Sequence, residues 1–245
     1  MTNGLISNEL IQVEERLFSL VENTNEVYSS LLNFLQSPSK RIRSKLGILY
    51  LKSNNNDLSR SDISLLTSVE LIHNASLIHD DIIDNSSERR NKKTIAKKFN
   101  TDIAVLCGDY LLSLAVGELL KLKNARILEL FFNCTKQMTD AEIKQNLNKG
   151  KIPKEQVYLD ICTGKTAYLF KTELEALALN NGLDQNTAGR LGELFGIVFQ
   201  LRNDLEPVSA KKDKENGIHT AIDIFGIEKT LDLTDNYYRD RKSVV

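Results

Sequence analysis

The sequence has few residues that break helices and no excess of charge of either sign. Only three prolines interrupt its 245 residues, and no glycine-rich strand-turn pattern is present, so we expect an all-α protein. Its 32 basic and 33 acidic residues give a formal net charge of −1. This balance predicts neither a nucleic-acid partner nor binding to an anionic membrane surface.

Cysteines and long apolar runs are also scarce. Cys107, Cys134 and Cys162 are odd in number and lack the spacing of paired metal ligands, which favours core thiols in a reducing cytosol. The N-terminus lacks the charged and apolar regions of a signal peptide. Asp109 and Glu118 interrupt the longest apolar segment, so we expect no transmembrane segment and a cytoplasmic protein.

The even composition favours one helical domain over residues 1–245 rather than two small ones. The expected architecture is a single bundle of long helices around a central cavity. A charged stretch, Ser209 to Gly217, is predicted to be a loop. Long helical patterns cover residues 7–35, 40–53, 62–84, 101–122, 124–147, 154–180, 186–206 and about 220–240.

The segment His-Asn-Ala-Ser-Leu-Ile-His-Asp-Asp-Ile-Ile-Asp, which begins at residue 73, is the most informative. On a helix, His73, Asp80 and Asp84 fall within about 40° of one another, on one face. Such oxygens suit Mg²⁺, which shares its coordination sites with substrate phosphates. Arg89 and Arg90 follow and offer fork-shaped partners for the same phosphates. The segment predicts a metal–diphosphate site, although a solvated helix end can have the same acidic pattern.

A second acidic cluster lies at the end of another predicted helix, where Asn203 and Asp204 follow Phe199 and Gln200. Two acidic helix ends that face each other across a bundle would hold a metal–diphosphate between them. The pattern is weaker than the first one, and it adds to the expectation of a diphosphate site.

From roughly Lys40 to Thr220, the sequence resembles the trans-polyprenyl diphosphate synthase family. Ser-Leu-Ile-His-Asp-Asp-Ile-Ile-Asp resembles the first aspartate-rich motif, and Arg89-Arg90 stand where the family has its arginine pair. Gly-Lys165-Thr166-Ala and Phe-Gln200 resemble later signatures, and all of them occur in the family's order. The resemblance implies an isoprenoid synthase-like fold.

The resemblance also implies Mg²⁺-dependent condensation of isopentenyl diphosphate with an allylic diphosphate. Asp80 and Asp84 would ligate the metal, with Asp81 behind them, and Arg89 would bind the allylic diphosphate. Isopentenyl diphosphate would be bound by Lys40, Arg43, His73 and Arg90.

The later motifs would serve the reacting carbon and its leaving group. Lys165 would neutralise the departing diphosphate, and the Thr166 hydroxyl and the Gln200 carbonyl would stabilise the allylic cation by their dipoles. Asn203 and Asp204 would add metal ligands. Each residue also has an ordinary explanation, since a cation can be solvated and a helix histidine can be a hydrogen-bonded core residue.

The sequence departs from the family pattern at four places. Ile218 stands where a lysine is expected, and the chain stops about a helix pair before family members usually end. The glycine-rich basic motif and the second aspartate motif read Pro38-Ser39-Lys40-Arg41-Ile42-Arg43-Ser44 and Asn203-Asp204-Leu205-Glu206-Pro207. Asparagine keeps one oxygen ligand but loses a charge, and Pro207 tends to end the helix.

These departures leave three interpretations. The first is an active synthase, expected as a homodimer or a heterodimer. The second is a weakly active or non-catalytic subunit that binds prenyl diphosphates in a heterodimer. The third, a terpene synthase, conflicts with Pro207 and Lys211, where that class has a hydroxyl residue and a glutamate.

Product length is predicted from the residues one turn before Asp80. Short-chain members of the family tend to carry an aromatic ring four or five positions before this aspartate. Ala75 and Ser76 are small, and Val69 lies about 10 Å deeper along the helix. We therefore expect a long all-trans product, although small residues can also serve a close helix contact.

Overall fold

The computed structural model describes residues 6–244, without the side chains of residues 208, 209, 211, 212 and 241–244. The ends of the predicted domain over residues 1–245 therefore lie outside the described residues. The chain forms two compact units, Met1–Leu128 and Glu129–Val245. The helices are α1 (Ser7–Ser19), α2 (Glu26–Leu35), α3 (Ile42–Ser53), α4 (Arg60–Ile83), α5 (Ile95–Lys98), α6 (Thr101–Leu120), α7 (Ala125–Leu147), α8 (Glu155–Cys162), α9 (Tyr168–Asn180), α10 (Gln185–Leu205), α11 (Pro207–Glu215), α12 (Ala221–Phe225) and α13 (Ile227–Val244).

The predicted all-α fold class is confirmed. Strands β1 (Glu88–Arg89) and β2 (Lys92–Lys93) form a short antiparallel hairpin. The prediction of one helix over residues 7–35 is wrong, because Asn25 begins a new helix there. Its side-chain oxygen accepts hydrogen bonds from the backbone N–H groups of Val27 and Tyr28, as in a helix N-cap.

The first unit is organised around α4, which is buried along most of its length. Ser59 and Asp62 cap its N-terminus reciprocally. The helix packs along α6 and against α1 and α3. Gly108 on α6 makes room for His79 of α4, since a Cβ at this position would lie 2.1 Å from the histidine Nε2. His79 therefore serves the contact between the two helices.

A buried carboxylate joins α6 to the rest of the first unit. Glu118 accepts hydrogen bonds from Arg16 (3.1 Å from Nε and 2.5 Å from Nη2), from Ser64 (3.0 Å) and from Lys121. By length and composition alone, α6 could cross a membrane. This is weak evidence, because core helices of soluble proteins meet the same criterion, and the absence of a membrane span remains a prediction.

The second unit is organised around α10, which packs against α9 and α13. Gly192 and Gly196 allow the close approach. A Cβ would lie 2.4 Å from the carbonyl oxygen of Phe170 at the first position and 2.4 Å from Cα of Ala167 at the second. Between α8 and α9, residues Thr163–Ala167 form a π-helical turn, a feature that the helical pattern of the sequence did not predict.

The charged stretch after α10 is helical, so the prediction of a loop from Ser209 to Gly217 is wrong. Pro207 ends α10 as predicted, because proline cannot donate the hydrogen bond that would continue the helix. Proline is also a favourable first residue of a helix, and α11 begins at this residue. The turn that follows α11 lies at Gly217, whose φ is +70°.

We expect Gly196→Ala to destabilise the protein, although this substitution usually stabilises a helix. The added methyl would meet backbone atoms of the π-helical turn, and overpacking of this kind costs about 1–3 kcal/mol. Gly189→Ala, in the same helix, has its nearest neighbour at 3.4 Å and should leave the stability unchanged or raise it by up to about 1 kcal/mol. Urea unfolding of both variants measures the difference, and equal stabilisation of both would contradict the close packing.

Candidate functional site

A buried arginine lies in the basic segment of residues 40–43 of the first unit. Arg41 has a left-handed φ of +45° at the start of α3. Its guanidinium donates to Glu14 (3.0 Å), to Glu70 (3.1 Å) and to the carbonyl oxygen of Leu35 (2.6 Å). The sequence assigned no role to Arg41. In the structure, its hydrogen bonds hold this segment against the rest of the unit. Its neighbour Lys40 is exposed.

Four guanidiniums act on one histidine of the first unit. Burial, followed by the positive charges of Arg43, Arg90, Arg89 and Arg41, holds the pKa of His73 well below its usual range. The imidazole is therefore neutral at pH 7 and can donate one hydrogen bond. The structure thus brings together His73, Arg43, Arg89 and Arg90, which the sequence predicted to bind diphosphates.

Arg90 lacks a partner for one of its buried donors. It lies in the turn of the hairpin with a φ of +53°, and its Nη1 is buried without a hydrogen bond to the described residues. Burial, followed by the charges of Arg41 and Arg89, lowers the pKa of its guanidinium. A buried cation with an unpaired N–H is energetically unfavourable unless an anion binds to it.

Asp81 and Arg89 form a bidentate ion pair behind the predicted metal ligands. The Asp81 side chain is 3% exposed, and the Arg89 Nε lies 2.9 Å from both of its carboxylate oxygens. A third contact joins Arg89 Nη2 to the carboxylate at 2.8 Å. This pairing ties the hairpin to the end of α4. The place of Asp81 behind the metal ligands remains a prediction.

Asp80 and Asp84 are partly exposed one turn apart. Among the described residues, no group of three or more His, Cys, Asp or Glu side chains could hold a metal ion. Mg²⁺ commonly uses one or two carboxylates together with water and substrate phosphates. The donor set therefore fits an Mg²⁺ ion that binds with a diphosphate rather than a permanent structural ion.

The residues before Asp80 that are predicted to determine product length are small or buried. Val69 and Ala75 are fully buried, and Ser76 is partly exposed. The Ser76 hydroxyl donates to the carbonyl oxygen of His73 at 2.8 Å. No aromatic ring occupies either of the two positions before Asp80 that short-chain members block.

In the second unit, a chain of hydrogen bonds joins three of the predicted site residues. Thr166 Oγ1 donates to Gln200 Oε1 at 2.8 Å, and Gln200 Nε2 donates to Asp204 Oδ1 at 2.7 Å. The other oxygen, Asp204 Oδ2, accepts from the Tyr158 hydroxyl and from the backbone N–H of Ala221, both at 2.7 Å. Tyr158 carried no motif that sequence reasoning could have used.

This geometry does not support the prediction that Asp204 is a metal ligand. Its side chain is buried, with 2% exposure, and three donors of the second unit already occupy its oxygens. Burial raises the pKa of its carboxyl group, and those donors oppose the shift. Asn203 is exposed, so its amide oxygen is the more accessible ligand of the pair.

Lys165 forms an ion pair with Glu142 of α7. The carboxylate also accepts a hydrogen bond from Asn146 at 2.9 Å. The sequence did not single out Glu142, because the acidic residues of α7 show no distinctive spacing. A diphosphate that binds Lys165 has to compete with this carboxylate.

The model of the family described as "Polyprenyl synthetase" matches residues 24–231 of the chain. The chain is 30% identical over 207 residues to a decaprenyl-diphosphate synthase of Dictyostelium discoideum. The aligned region covers 83% of this chain and 45% of that protein. It is 30% identical to a prenyl transferase of Porphyra purpurea, over 98% of this chain and 80% of the relative. It is 31% identical to heptaprenyl diphosphate synthase component 2 of Geobacillus stearothermophilus, over 82% and 64%.

Solved structures agree with these relatives. A geranyltranstransferase of Thermotoga maritima superposes with a TM-score of 0.86 at 27% identity, over 98% of this chain and 90% of that one. The chain therefore belongs to the polyprenyl synthetase family, the trans-polyprenyl diphosphate synthases, which are prenyl transferases.

Proposed function

We propose that the protein condenses isopentenyl diphosphate with an allylic diphosphate, in an Mg²⁺-dependent reaction, to make a long all-trans polyprenyl diphosphate. The observation that carries the proposal is the group of arginines around the neutral His73. The group includes a buried N–H of Arg90 without a hydrogen bond to the described residues, and the partly exposed carboxylates of Asp80 and Asp84 are near in sequence. These are the requirements of a diphosphate that binds with a divalent metal.

The residues of the first unit bind the two diphosphates. Asp80 and Asp84 hold Mg²⁺, which when bound supplies Lewis-acid neutralisation of the leaving group. Arg89, held by Asp81, binds the allylic diphosphate. The remaining donors, His73, Arg43, Arg90 and the exposed Lys40, bind the diphosphate of isopentenyl diphosphate.

The residues of the second unit act on the allylic group. Thr166 and Gln200 direct the negative ends of their dipoles toward the allylic cation. Lys165 exchanges Glu142 for the departing diphosphate. The allylic carbon–oxygen bond breaks to give the cation and diphosphate, and the double bond of isopentenyl diphosphate then attacks the cation and forms the new carbon–carbon bond. The released diphosphate then accepts the proton that restores a double bond.

We also propose that the chain works as a dimer. The large apolar side chains of Val105, Leu106 and Leu120 are exposed on one side of α6. Exposed apolar surface of this kind is typical of protein contacts. Two identical chains are our first proposal, in a cytoplasmic enzyme.

A heterodimeric subunit of low activity is the second candidate. Asn203, Pro207 and Ile218 all depart from the family pattern in the part of the chain that would complete the second metal cluster. The similarity to a protein named as component 2 of a heptaprenyl diphosphate synthase also supports this candidate. A chain that binds the allylic primer but forms no product alone would favour it.

The metal proposal is tested by Asp80→Ala and Asp84→Ala. Each variant should lower the rate of Mg²⁺-dependent condensation by roughly a hundredfold or more, because a lost metal contact is worth several kcal/mol. The assay follows labelled isopentenyl diphosphate into chain-elongated product. Asp57→Ala, at an exposed aspartate in the loop before α4, is the control and should keep full activity. Unchanged turnover with EDTA would exclude the metal mechanism.

The weakened second metal cluster is tested by Asn203→Asp. A charged oxygen ligand should lower the Mg²⁺ concentration for half-maximal rate by about tenfold, since one charge-assisted ligand contributes about 1.4 kcal/mol or more. The measurement is a Mg²⁺ titration of the initial rate at saturating substrates. If the titration midpoint does not move, residue 203 does not contact the metal.

Product length is tested by Ser76→Phe. A ring at this position should shorten the product, because it takes volume needed by the growing prenyl chain. Products are separated by chain length on reversed-phase chromatography. Ser76→Ala is the matched control, since it removes the hydrogen bond to His73 without adding volume, and it should leave the product distribution unchanged. A wild-type product of fifteen carbons would refute the prediction that the small side chains of Ala75 and Ser76 leave room for a long product.

A further inference from the structure

The hydrogen-bonded chain Thr166–Gln200–Asp204 of the second unit ends on a buried carboxylate. We propose that Asp204 is a positioning residue, which fixes the orientation of the Gln200 amide for the reaction, and not a metal ligand. This inference rests on the proposed function, because the Gln200 dipole matters only where an allylic cation forms.

An ionised carboxylate can only accept hydrogen bonds, and this property determines the direction of the whole chain. The Gln200 group that faces Asp204 at 2.7 Å must therefore be the NH₂ group. The Gln200 carbonyl then faces the Thr166 hydroxyl, which donates to it at 2.8 Å. With its hydrogen committed to Gln200, the Thr166 oxygen keeps its lone pairs for an electron-poor ligand.

Loss of the negative charge of Asp204 would remove this constraint on the orientation of the Gln200 amide. An asparagine at residue 204 could present either its oxygen or its NH₂ group to Gln200. The Gln200 amide could then turn by half a rotation and present NH₂ to Thr166. This orientation places the positive end of the amide dipole where the negative end is needed, and misdirected dipoles raise the barrier to a cationic transition state.

Asp204 is itself held by two further donors. The Tyr158 hydroxyl and the N–H of Ala221, at the start of α12, both bind Oδ2 at 2.7 Å. With Gln200 they satisfy a carboxylate that is 2% exposed. A metal ion could reach these oxygens only by displacing donors that the buried charge requires. The same hydrogen bonds connect the segment that contains Ile218 to Gln200.

The first experiment separates a positioning residue from a metal ligand. Asp204→Asn should lower kcat by about tenfold to a hundredfold, on the scale of one misplaced transition-state dipole. The Mg²⁺ concentration for half-maximal rate and the KM for isopentenyl diphosphate should stay at their wild-type values. Asn203→Ala, at the neighbouring exposed residue, should raise the Mg²⁺ requirement instead.

A matched control uses a second Gln–Asp pair of the same unit. On the surface of α8, Gln156 Nε2 donates to Asp160 Oδ1 at 2.9 Å, again four residues apart. Asp160→Asn makes the same chemical change at this exposed pair. It should leave kcat, KM and the thermal unfolding midpoint unchanged.

A double-mutant cycle tests whether Asp204 acts through Gln200. In a Gln200→Leu background, Asp204→Asn should cause no further loss of kcat, because the dipole it orients is absent. If Asp204→Asn does not fold, Tyr158→Phe takes its place, since it removes one donor from the same carboxylate. Its smaller loss of kcat should also disappear in the Gln200→Leu background.

Nuclear magnetic resonance of the ¹⁵N-labelled protein reads the amide orientation without activity. The side-chain NH₂ resonance of Gln200, identified by its loss in Gln200→Leu, should move or divide in Asp204→Asn or Tyr158→Phe. An unmoved resonance would overturn the inference, even in an inactive chain. So would an increase in the Mg²⁺ requirement of Asp204→Asn, or additive losses in the cycle. A wild type without condensation activity, alongside a shifted resonance, would refute only the proposed function.

Discussion

The first unit depends on a cluster of four guanidiniums around His73 of α4. Guanidiniums of Arg41, Arg43, Arg89 and Arg90 lie near one imidazole and lower its pKa. Two buried carboxylates, Glu70 and Asp81, each 3% exposed, partly balance them. Like charges repel strongly where water is scarce. Glu70 pairs with Arg41 and Asp81 pairs with Arg89, while the buried Nη1 of Arg90 keeps an N–H for an anion.

In the second unit, the constraint is the direction of the Gln200 amide dipole. The π-helical turn places Thr166 opposite Gln200 on α10, and the glycines of α10 let the two segments approach. The hydrogen bond to Asp204 then determines which end of the Gln200 amide faces Thr166. One departure from the family pattern lies at Asn203, but the neighbouring carboxylate of Asp204, which orients Gln200, is retained. An enzyme can therefore lose charge from its second metal cluster and keep the polarity around the reacting carbon.

Periodicity was sufficient to predict most helices because their apolar positions and caps are local features. The capping box at Ser59 and the turn at Gly182, whose φ is +68°, are examples of such local features. Two predictions failed for local reasons that compete with periodicity. Asn25 begins a new helix within an apolar pattern, and Pro207 starts a helix in a stretch whose charges suggested a loop.

The sequence by itself determined the helical class, the family and the residue types of the site, because ordered motifs and helical spacing are properties of the chain. The roles of individual charges needed the tertiary structure. The sequence predicts Asp204 as a metal ligand and Asp81 as a residue behind the metal ligands, and the structure shows that both are buried and hydrogen-bonded. Arg41, Tyr158 and Glu142 gave no signal in the sequence, because their partners are distant in the chain. Burial and the identity of a partner decide whether a charged group binds a ligand or stabilises the fold, and only packing sets these.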